Sequence, residues 1–546
     1  MTEILTASEM RALEQRAMDS GAVTGLTLME RAGQGVVDAV LATWPVFART
    51  SYKAVVLCGP GNNGGDGFVI ARLLHRRGWD VDVWFYGDPA RLPPDARVNY
   101  DRWCTLGAVR ARTGKGSGDA VTIPIGTSVV IDALFGIGLS RPLGGPFPQL
   151  AQSCAASAAK IVAVDMPSGL CSESGRPLGA VVRADLTVTF DSPKPGHVLG
   201  DGPDLCSRLA VTDIGLETFR TTHSRPGKPA TPARAMRAEL VPAMPDVADR
   251  RVLSARAPAA WLRRGEGHKY SHGHAVVVTG GMGRTGAARL AAQGALRIGA
   301  GLVTVFAPGA AMMECACQLT EVMLRRCDDA AALGALLEDD RLNAVCLGPG
   351  LGLDRARALV PVALGQGAAP GPVRDGTVRR VLLDADALSA YADAPEVLFA
   401  MLHDACVLTP HAGEFARLFP DLAAQLSAPE GDGPGYSKIA AVRAAAARAG
   451  CVVLLKGRDT VIADPDGRVQ VHLAAYGRAA PGLATAGSGD VLAGFITGLL
   501  ARSVPPLFAA STGAWAHVEA ARAFGPGLIA SDLPQALPAV LAGRDL

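Results

Sequence analysis

Short apolar runs recur along the chain, each ending in a glycine-rich or acidic turn and followed by a longer amphipathic stretch. In the first half the runs are Lys53–Gly59 (KAVVLCG), VDVWFYG, Val129–Leu134, Ile161–Val164 and Leu186–Phe190. A run without polar alternation predicts a strand buried on both faces, as in a parallel sheet covered by helices. The pattern predicts a helix over Phe68–Arg77, stopped by Gly78, and so a βαβ unit. Ahead of it, Thr6 with Glu9 and Thr27 with Glu30 each have the Thr-x-x-Glu spacing of a capping box and predict two helix starts.

Around Leu216–Leu262 this order dissolves into Arg, Pro, Ala and Thr, which predicts a linker. Alternation then resumes with HAVVVTGG, a helix near Ala287–Ile298, LVTVFAP, AVCLGPG, RVLLDADAL, ACVLTPH, CVVLLKG and a last helical region from Gly489. The expected architecture is α/β: an N-terminal Rossmann-like, doubly wound domain over 1–220, a linker over 221–249, and a second α/β domain over 250–546. The halves share an architecture but no motif order, so they are not repeats.

The chain has 546 residues, too many for one core, and 49 % are hydrophobic. A net charge of +2 makes no electrostatic case for nucleic acid or an anionic membrane. No apolar run reaches the about 18 residues of a membrane span. The opening MTEILTASEMRALEQ carries early acids and does not read as a signal peptide. Eleven cysteines lie singly with no CxxC pair, so neither a zinc site nor a disulfide framework is indicated. A cytoplasmic enzyme with reduced thiols is expected.

Ligands in open α/β sheets sit beyond the carboxyl ends of the strands. Three polar motifs fall there in the first half: Gly59-Pro-Gly-Asn-Asn-Gly-Gly-Asp-Gly67, Asp132-Ala-Leu-Phe-Gly-Ile-Gly138, and Val164-Asp165-Met-Pro-Ser168-Gly. The first places free amides at a helix N-terminus, where an anion is favoured. A Rossmann dehydrogenase is the rival reading of such a loop. Against it, Asn-Asn-Gly-Gly-Asp is too polar for close helix packing, and the next strand ends in Tyr86-Gly-Asp88 rather than a lone ribose-binding acid.

With Leu28-Met-Glu30-Arg-Ala-Gly33, TFDSPKPG (Thr189–Gly196) and Asp213-Ile-Gly215, these motifs make residues 1 to about 215 resemble the NAD(P)H-hydrate epimerases. The resemblance implies that Asn62, Asn63, Gly64, Gly65 and Asp66 line the hydrate site with Gly136, Ile137, Gly138, Leu139, Ser140, Arg141 and Pro142. It implies a potassium ion held by Asn63, Asp132 and Ser168, and Asp165 as the proton-transfer carboxylate. Oxygen ligands suit a hard monovalent cation. Opening and reclosing a C–O bond beside a ring nitrogen suits one positioned carboxylate.

The strongest motif of the second half is Ala486-Gly-Ser-Gly-Asp490-Val-Leu-Ala-Gly494. Glycines before a helix leave amides free for an anion, and the helix dipole adds positive charge. Asp490 can then serve as base towards a hydroxyl attacking a terminal phosphate. Lys456-Gly-Arg-Asp-Thr460 reads as a basic turn suited to phosphates. Together with Gly267-His-Lys269, VVTGG, RIGAGL, GPG (Gly348–Gly350), LDADAL, LTPHAGEF and Ala530-Ser-Asp-Leu533, these motifs resemble the ribokinase-like superfamily. More narrowly, they resemble its ADP- or ATP-dependent NAD(P)H-hydrate dehydratases. The chain departs from that pattern at Ala486, where glycine is usual, at Thr320 and at Tyr270.

The resemblance implies that Ala287, Gly350, His411 and Asp490 contact the hydrate, and that Lys456, Gly457, Arg458, Asp459, Thr460 and Gly489 contact the nucleotide. A structural reading competes for His411, since a histidine at a strand end is often only hydrogen-bonded scaffold. The expected function is repair of hydrated NADH and NADPH: epimerisation of the R and S hydrates, then nucleotide-dependent dehydration of the S hydrate. Potassium, ADP or ATP and Mg2+ are the expected cofactors, and a homo-oligomer without nucleic-acid or membrane partners is expected. The alternative is a ribokinase-like small-molecule kinase with an N-terminal regulatory or scaffold domain.

Overall fold

The computed structural model describes residues 3–112, 121–220, 238–240, 261–263, 265–366, 373, 376–429 and 435–542. They divide into two compact units: one built on 3–220 with 428–429 and 435–437, the other on the rest of the chain from 238 onward. Apart from 238–240, the expected linker over 221–249 lies outside the described residues. Among the described residues no helix is long and apolar enough to cross a membrane.

The first unit carries a sheet of parallel strands in the spatial order Val109–Ala111, Asp80–Phe85, Lys53–Cys58, Val129–Ala133, Lys160–Val164, Leu186–Phe190, Leu209–Thr212. The central strands are buried along their length, as their unbroken apolar runs require. Chain direction across the sheet reverses between Lys53–Cys58 and Val129–Ala133. That gap is a topological switch point, where loops part to leave a crevice.

Two local readings change. The helix after Lys53–Cys58 spans Asn62–Arg76, six residues earlier than the apolar pattern places it. Its glycines serve close packing. A Cβ on Gly64 would sit 2.0 Å from the Gly59 carbonyl oxygen, one on Gly65 2.7 Å from the Met29 sulfur, and one on Gly67 2.7 Å from the Cys58 sulfur. Gly64, Gly65 and Asp66 are all buried. The expectation that this stretch is too polar to pack closely is therefore wrong, because missing side chains let the backbones meet.

The second helix is Gly25–Thr43, capped by Thr24, whose hydroxyl accepts from the Thr27 amide. Thr27 with Glu30 is thus no capping box, and Glu30 instead pairs with Arg72. The Thr6–Glu9 box is present, starting the helix Ala7–Asp19.

In the second unit the strands run Ala238–Leu240, Val469–Leu473, Asp459–Ala463, Val452–Leu455, Cys406–Leu408, Arg380–Leu383, Ala344–Leu347, His274–Val278, Leu302–Ala307, Met323–Arg326. Pairing is parallel except where Asp459–Ala463 runs antiparallel to both neighbours. Asp459 and Thr460 open this strand rather than close a turn, because Thr460-Val-Ile462 favours extended backbone. The switch point lies between His274–Val278 and Ala344–Leu347. There a Cβ on Gly280 would sit 2.0 Å from the Gly350 carbonyl oxygen. The helix Gly286–Arg297 packs against Ser488–Ala501 so closely that a Cβ on Gly494 would lie 2.1 Å from the Ala291 carbonyl oxygen.

Candidate functional sites

In the first unit, Asp165 follows its strand with φ of 64°, a left-handed conformation rare outside glycine. Such strain persists only where surroundings over-determine it. Here they do. The Asp165 amide donates to Val188 (2.7 Å), Thr189 Oγ1 donates to Asp165 Oδ1 (2.8 Å), and Lys194 Nζ donates to the same oxygen (3.0 Å). Lys194 is 1 % exposed and also donates to Thr189 Oγ1 and the Phe190 carbonyl. His197 accepts from the Lys194 amide at Nδ1, so its Nε2 donates to the Asp165 carbonyl (2.8 Å).

Burial alone would raise the Asp165 carboxyl, yet the Lys194 ammonium and its hydrogen bonds hold it below the usual range. Burial pushes His197 down to about 4, so it is a neutral donor. Asp165 is therefore a fixed carboxylate with Oδ1 held inside. Its Oδ2 faces Gly136, where a Cβ would come within 3.2 Å of it and 3.1 Å of the Asn63 amide.

Asn63 fits between two loops, its NH2 donating to the Val164 carbonyl (3.2 Å) and its oxygen accepting from the Gly136 amide (3.3 Å). Asn63 and Asp165, chosen from the sequence, thus meet at Gly136. The loop Gly136–Pro142 is mostly exposed beside them, and Asn62 is exposed at the helix start. Gly64 and Gly65 face inward, and Asp66 lies on the buried face of its helix. Burial, with Asp165 and Glu14 nearby, raises the Asp66 carboxyl well above its ordinary value.

Asp132 is fully buried and accepts from the Ser168 hydroxyl (2.6 Å), the Ser168 amide (2.9 Å) and the Leu134 amide (3.3 Å). These are neutral donors, and burial pushes its carboxyl up to about 6. Ser168 Oγ also lies 3.3 Å from the Phe135 carbonyl oxygen. A buried carboxylate clustered with neutral oxygens and without a basic partner among the described residues fits a monovalent cation.

In the second unit, Gly487 (φ 86°) precedes the helix Ser488–Ala501, placing Gly489 and Asp490 in its first turn. Lys456 Nζ lies 3.6 Å from where a Cβ on Gly489 would sit and donates to Asp384 Oδ1 (2.7 Å). Asp384 is 2 % exposed and directly follows the strand Arg380–Leu383, just before Ala385, another non-glycine residue at positive φ (47°). Burial first, then the Asp384 charge, raises the Asp490 carboxyl to about 6, against the pull of Lys456. An acid, an ammonium and free helix amides therefore share one strand-end crevice, as a phosphate-handling site needs.

Ala287 opens the neighbouring helix, 3.5 Å from where a Cβ on Gly350 would sit. His411 caps the helix Ala412–Leu418, its Nδ1 accepting from the Gly413 (2.9 Å) and Glu414 (3.3 Å) amides. The capping role is the structural reading of this histidine, and its side chain stays 55 % exposed beside Glu414. The Lys456 amide donates to Pro410, tying Lys456 to that corner. Asp459 pairs with Lys438 (2.8 Å), and Thr460 donates back to the Gly457 carbonyl (2.7 Å). Of the predicted nucleotide set, Lys456 and Gly489 come together, while Asp459 is engaged by Lys438 of the helix Lys438–Ala449 and Thr460 by its own turn.

Sequence reasoning missed Lys194, His197, Thr189, Glu14 and Asp384. A lysine inside TFDSPKPG, and an acid directly following an apolar strand at LLD384, were the available signals. A separate cavity of about 640 Å3 is lined by Glu30, Arg72, Arg76 and Arg102 among others. It lies towards the far end of the helix Asn62–Arg76 from the strand-end loops.

Residues 275–539 match the family described as NAD(P)H-hydrate dehydratase, and residues 25–196 match YjeF-related protein N-terminus. The bifunctional NAD(P)H-hydrate repair enzyme Nnr of Moorella thermoacetica is 36 % identical over 98 % of this chain and 96 % of its own length. The NAD(P)H-hydrate epimerase of Roseobacter litoralis is 50 % identical over 40 % of this chain and all of its own. A solved ADP/ATP-dependent NAD(P)H-hydrate dehydratase of Bacillus subtilis covers 52 % of this chain and 95 % of its own, at 26 % identity and a TM-score of 0.40. Likeness to two-part relatives across almost the whole length of both chains shows that this chain belongs to the family of bifunctional NAD(P)H-hydrate repair enzymes.

Proposed function

We propose that the two strand-end crevices divide the family's repair reaction between them. The chain repairs hydrated NADH and NADPH: the first unit interconverts the R and S hydrates, and the second uses an adenine nucleotide to dehydrate the S hydrate. The observation that carries the assignment of the second step is the grouping of Lys456, Asp384 and Asp490 at the N-terminus of Ser488–Ala501.

At the first site, Asp165 is the proton-transfer carboxylate, held by Lys194 and Thr189 with one oxygen towards Gly136. Asn62–Asp66 and Gly136–Pro142 receive the hydrate, with Asn62 and the loop Gly136–Pro142 as its exposed contacts and the buried glycines setting how closely the helix approaches. Asn63, Asp132 and Ser168 are the residues to hold potassium, which supplies positive charge near a phosphate-bearing substrate. Asp132, without a basic partner among the described residues, supports that reading.

At the second site, hydroxide is a poor leaving group, and phosphorylating the hydroxyl makes it a good one. Asp490 takes the hydroxyl proton as the oxygen attacks the terminal phosphorus, whose bond to the departing nucleotide breaks. The ring nitrogen's lone pair then expels phosphate to give a C=N cation, and loss of a proton from the adjacent ring carbon returns the electrons to nitrogen and restores the dihydronicotinamide. Lys456 and the amides at Gly489 stabilise charge on the transferring group, and the nucleotide arrives with Mg2+ as counterion. Ala287, Gly350 and His411 flank the hydrate, with Gly457 and Arg458 beside the nucleotide. The enzyme is taken to act in the cytoplasm as a homo-oligomer, which sedimentation of the purified chain tests.

Incubating the chain with mixed hydrate epimers, with and without ADP or ATP, tests the whole. Dihydronicotinamide absorbance should return completely only with nucleotide. Recovery of the S fraction alone would remove the epimerase assignment, and accumulation of a stable phosphorylated product would replace the dehydratase with a kinase.

A further inference from the structure

Asp165 alone does not complete the chemistry of its site. Its Oδ1 receives two hydrogen bonds and the Lys194 charge, which hold it ionised and make it an acceptor of protons. Inverting a carbon that bears a hydroxyl also needs a donor. Burial raises the Asp66 carboxyl, but it lies on the packed face of its helix, 9 % exposed.

Glu14 lies on the helix Ala7–Asp19. It falls four residues after Met10 and three before Ala17, both buried, and so on the helix's inward side. That helix is pinned to the strand-end loops: the Leu5 amide donates to the Pro193 carbonyl (3.0 Å) and the Ala7 amide to Glu173 Oε1 (3.0 Å). Arg11, three residues before Glu14 on the same side, extends to 3.5 Å from where a Cβ on Gly138 would sit. The charged groups around Glu14 are Asp165, Lys194 and Asp191 from the strand-end loops, Asp66 from Asn62–Arg76, and Arg11 from its own helix.

We infer that Glu14 is the second proton-transfer carboxyl of this site and gives its proton to the departing hydroxyl. The inference rests on the epimerase reading of the site. Protonation lets the C–O bond break. Water leaves with the bonding pair, and the ring nitrogen's lone pair forms the C=N bond. Water then adds to the opposite face, the C=N electrons return to nitrogen, and the proton released goes back to the Glu14–Asp165 pair. No net proton or electron is consumed. Burial, then the Asp165 charge, push Glu14 up to about 7, while Asp165 is held down. Two carboxyls held apart in this way divide into acid and base.

The test uses Glu14→Gln and Glu14→Asp in the full chain, with dehydration of pure S hydrate as an internal control. The readouts are the R-to-S rate, its KM and its pH profile. E14Q should lose about 10²-fold or more in epimerisation kcat with KM nearly unchanged, and E14D should recover part of it. The parent's rate should fall as pH rises through about 7, as Glu14 loses its proton, and E14Q should lack that limb. E14Q within about threefold of the parent rate overturns the inference. So does lost rate with a raised KM and the limb intact, the mark of a structural role. If instead Asp165→Asn leaves epimerisation untouched, the reading of the site fails, independently of Glu14.

Discussion

Asp490→Asn separates a chemical role from a capping one. Asp490 lies in the first turn of Ser488–Ala501, where any acid gains about 0.3–1 kcal/mol from the helix dipole. A purely capping Asp490 would therefore cost stability when neutralised. The structure predicts the opposite above pH 6. Burial and Asp384 raise its carboxyl from the ordinary 3.8 to about 6, so the folded state binds this proton more tightly than the unfolded chain. For a raised acid, stability is fully present below 3.8 and is lost as pH rises to about 6. At pH 7 Asp490→Asn should then be at least as stable as the parent, and at pH 4 the difference should close.

Activity should move the other way. Removing general-base help costs about 10²–10⁴-fold, or roughly 2.7–5.4 kcal/mol of barrier. Parental dehydration should also fall as pH drops through about 6, as Asp490 takes up a proton. The assay is absorbance recovery from pure S hydrate with ADP or ATP, alongside calorimetric unfolding at pH 4 and 7. More than a tenth of the parental rate in Asp490→Asn would remove Asp490 from the mechanism. A clear loss of stability at pH 7 would return it to capping.

Asp132→Ala should weaken hydrate binding and make residual epimerisation insensitive to potassium, while dehydration of the S hydrate is unchanged; equal parental epimerisation in a bulky organic cation would refute the ion site. Gly64→Ala forces a Cβ to 2.0 Å from the Gly59 carbonyl and should cost about 1–3 kcal/mol or more, seen as a lower Tm of the first unit. Chains ending near Thr221 and starting near Arg237 should each be soluble and retain epimerase and dehydratase activity respectively, and insolubility of both would argue for a shared core.

Much of this protein is legible without coordinates because its strands are buried on both faces. Runs such as VVID132 and VVLL455 carry no polar alternation, so their placement follows from hydrophobicity alone, and the turns that close them hold the polar chemistry. Asp165, Asp490 and Lys456 stand out for that reason: each directly follows an apolar run or opens a helix after glycines. The α/β class and the order of motifs are likewise local properties, set by which short segments are apolar and where glycine interrupts them.

Only the tertiary structure decided what those glycines are for and which charges meet. Gly64, Gly65 and Gly67 look like an anion loop, yet their Cα atoms press against Gly59, Met29 and Cys58, so the helix begins at Asn62. Thr27 and Glu30 have the spacing of a cap, but Thr24 takes that place and Glu30 turns to Arg72, 42 residues away. Lys194 reaches Asp165 across 29 residues, and Lys456 reaches Asp384 across 72. Spacing cannot announce such pairs. An ion pair's strength depends on separation and on exclusion of water, and neither exists until the sheet has brought its strand ends together.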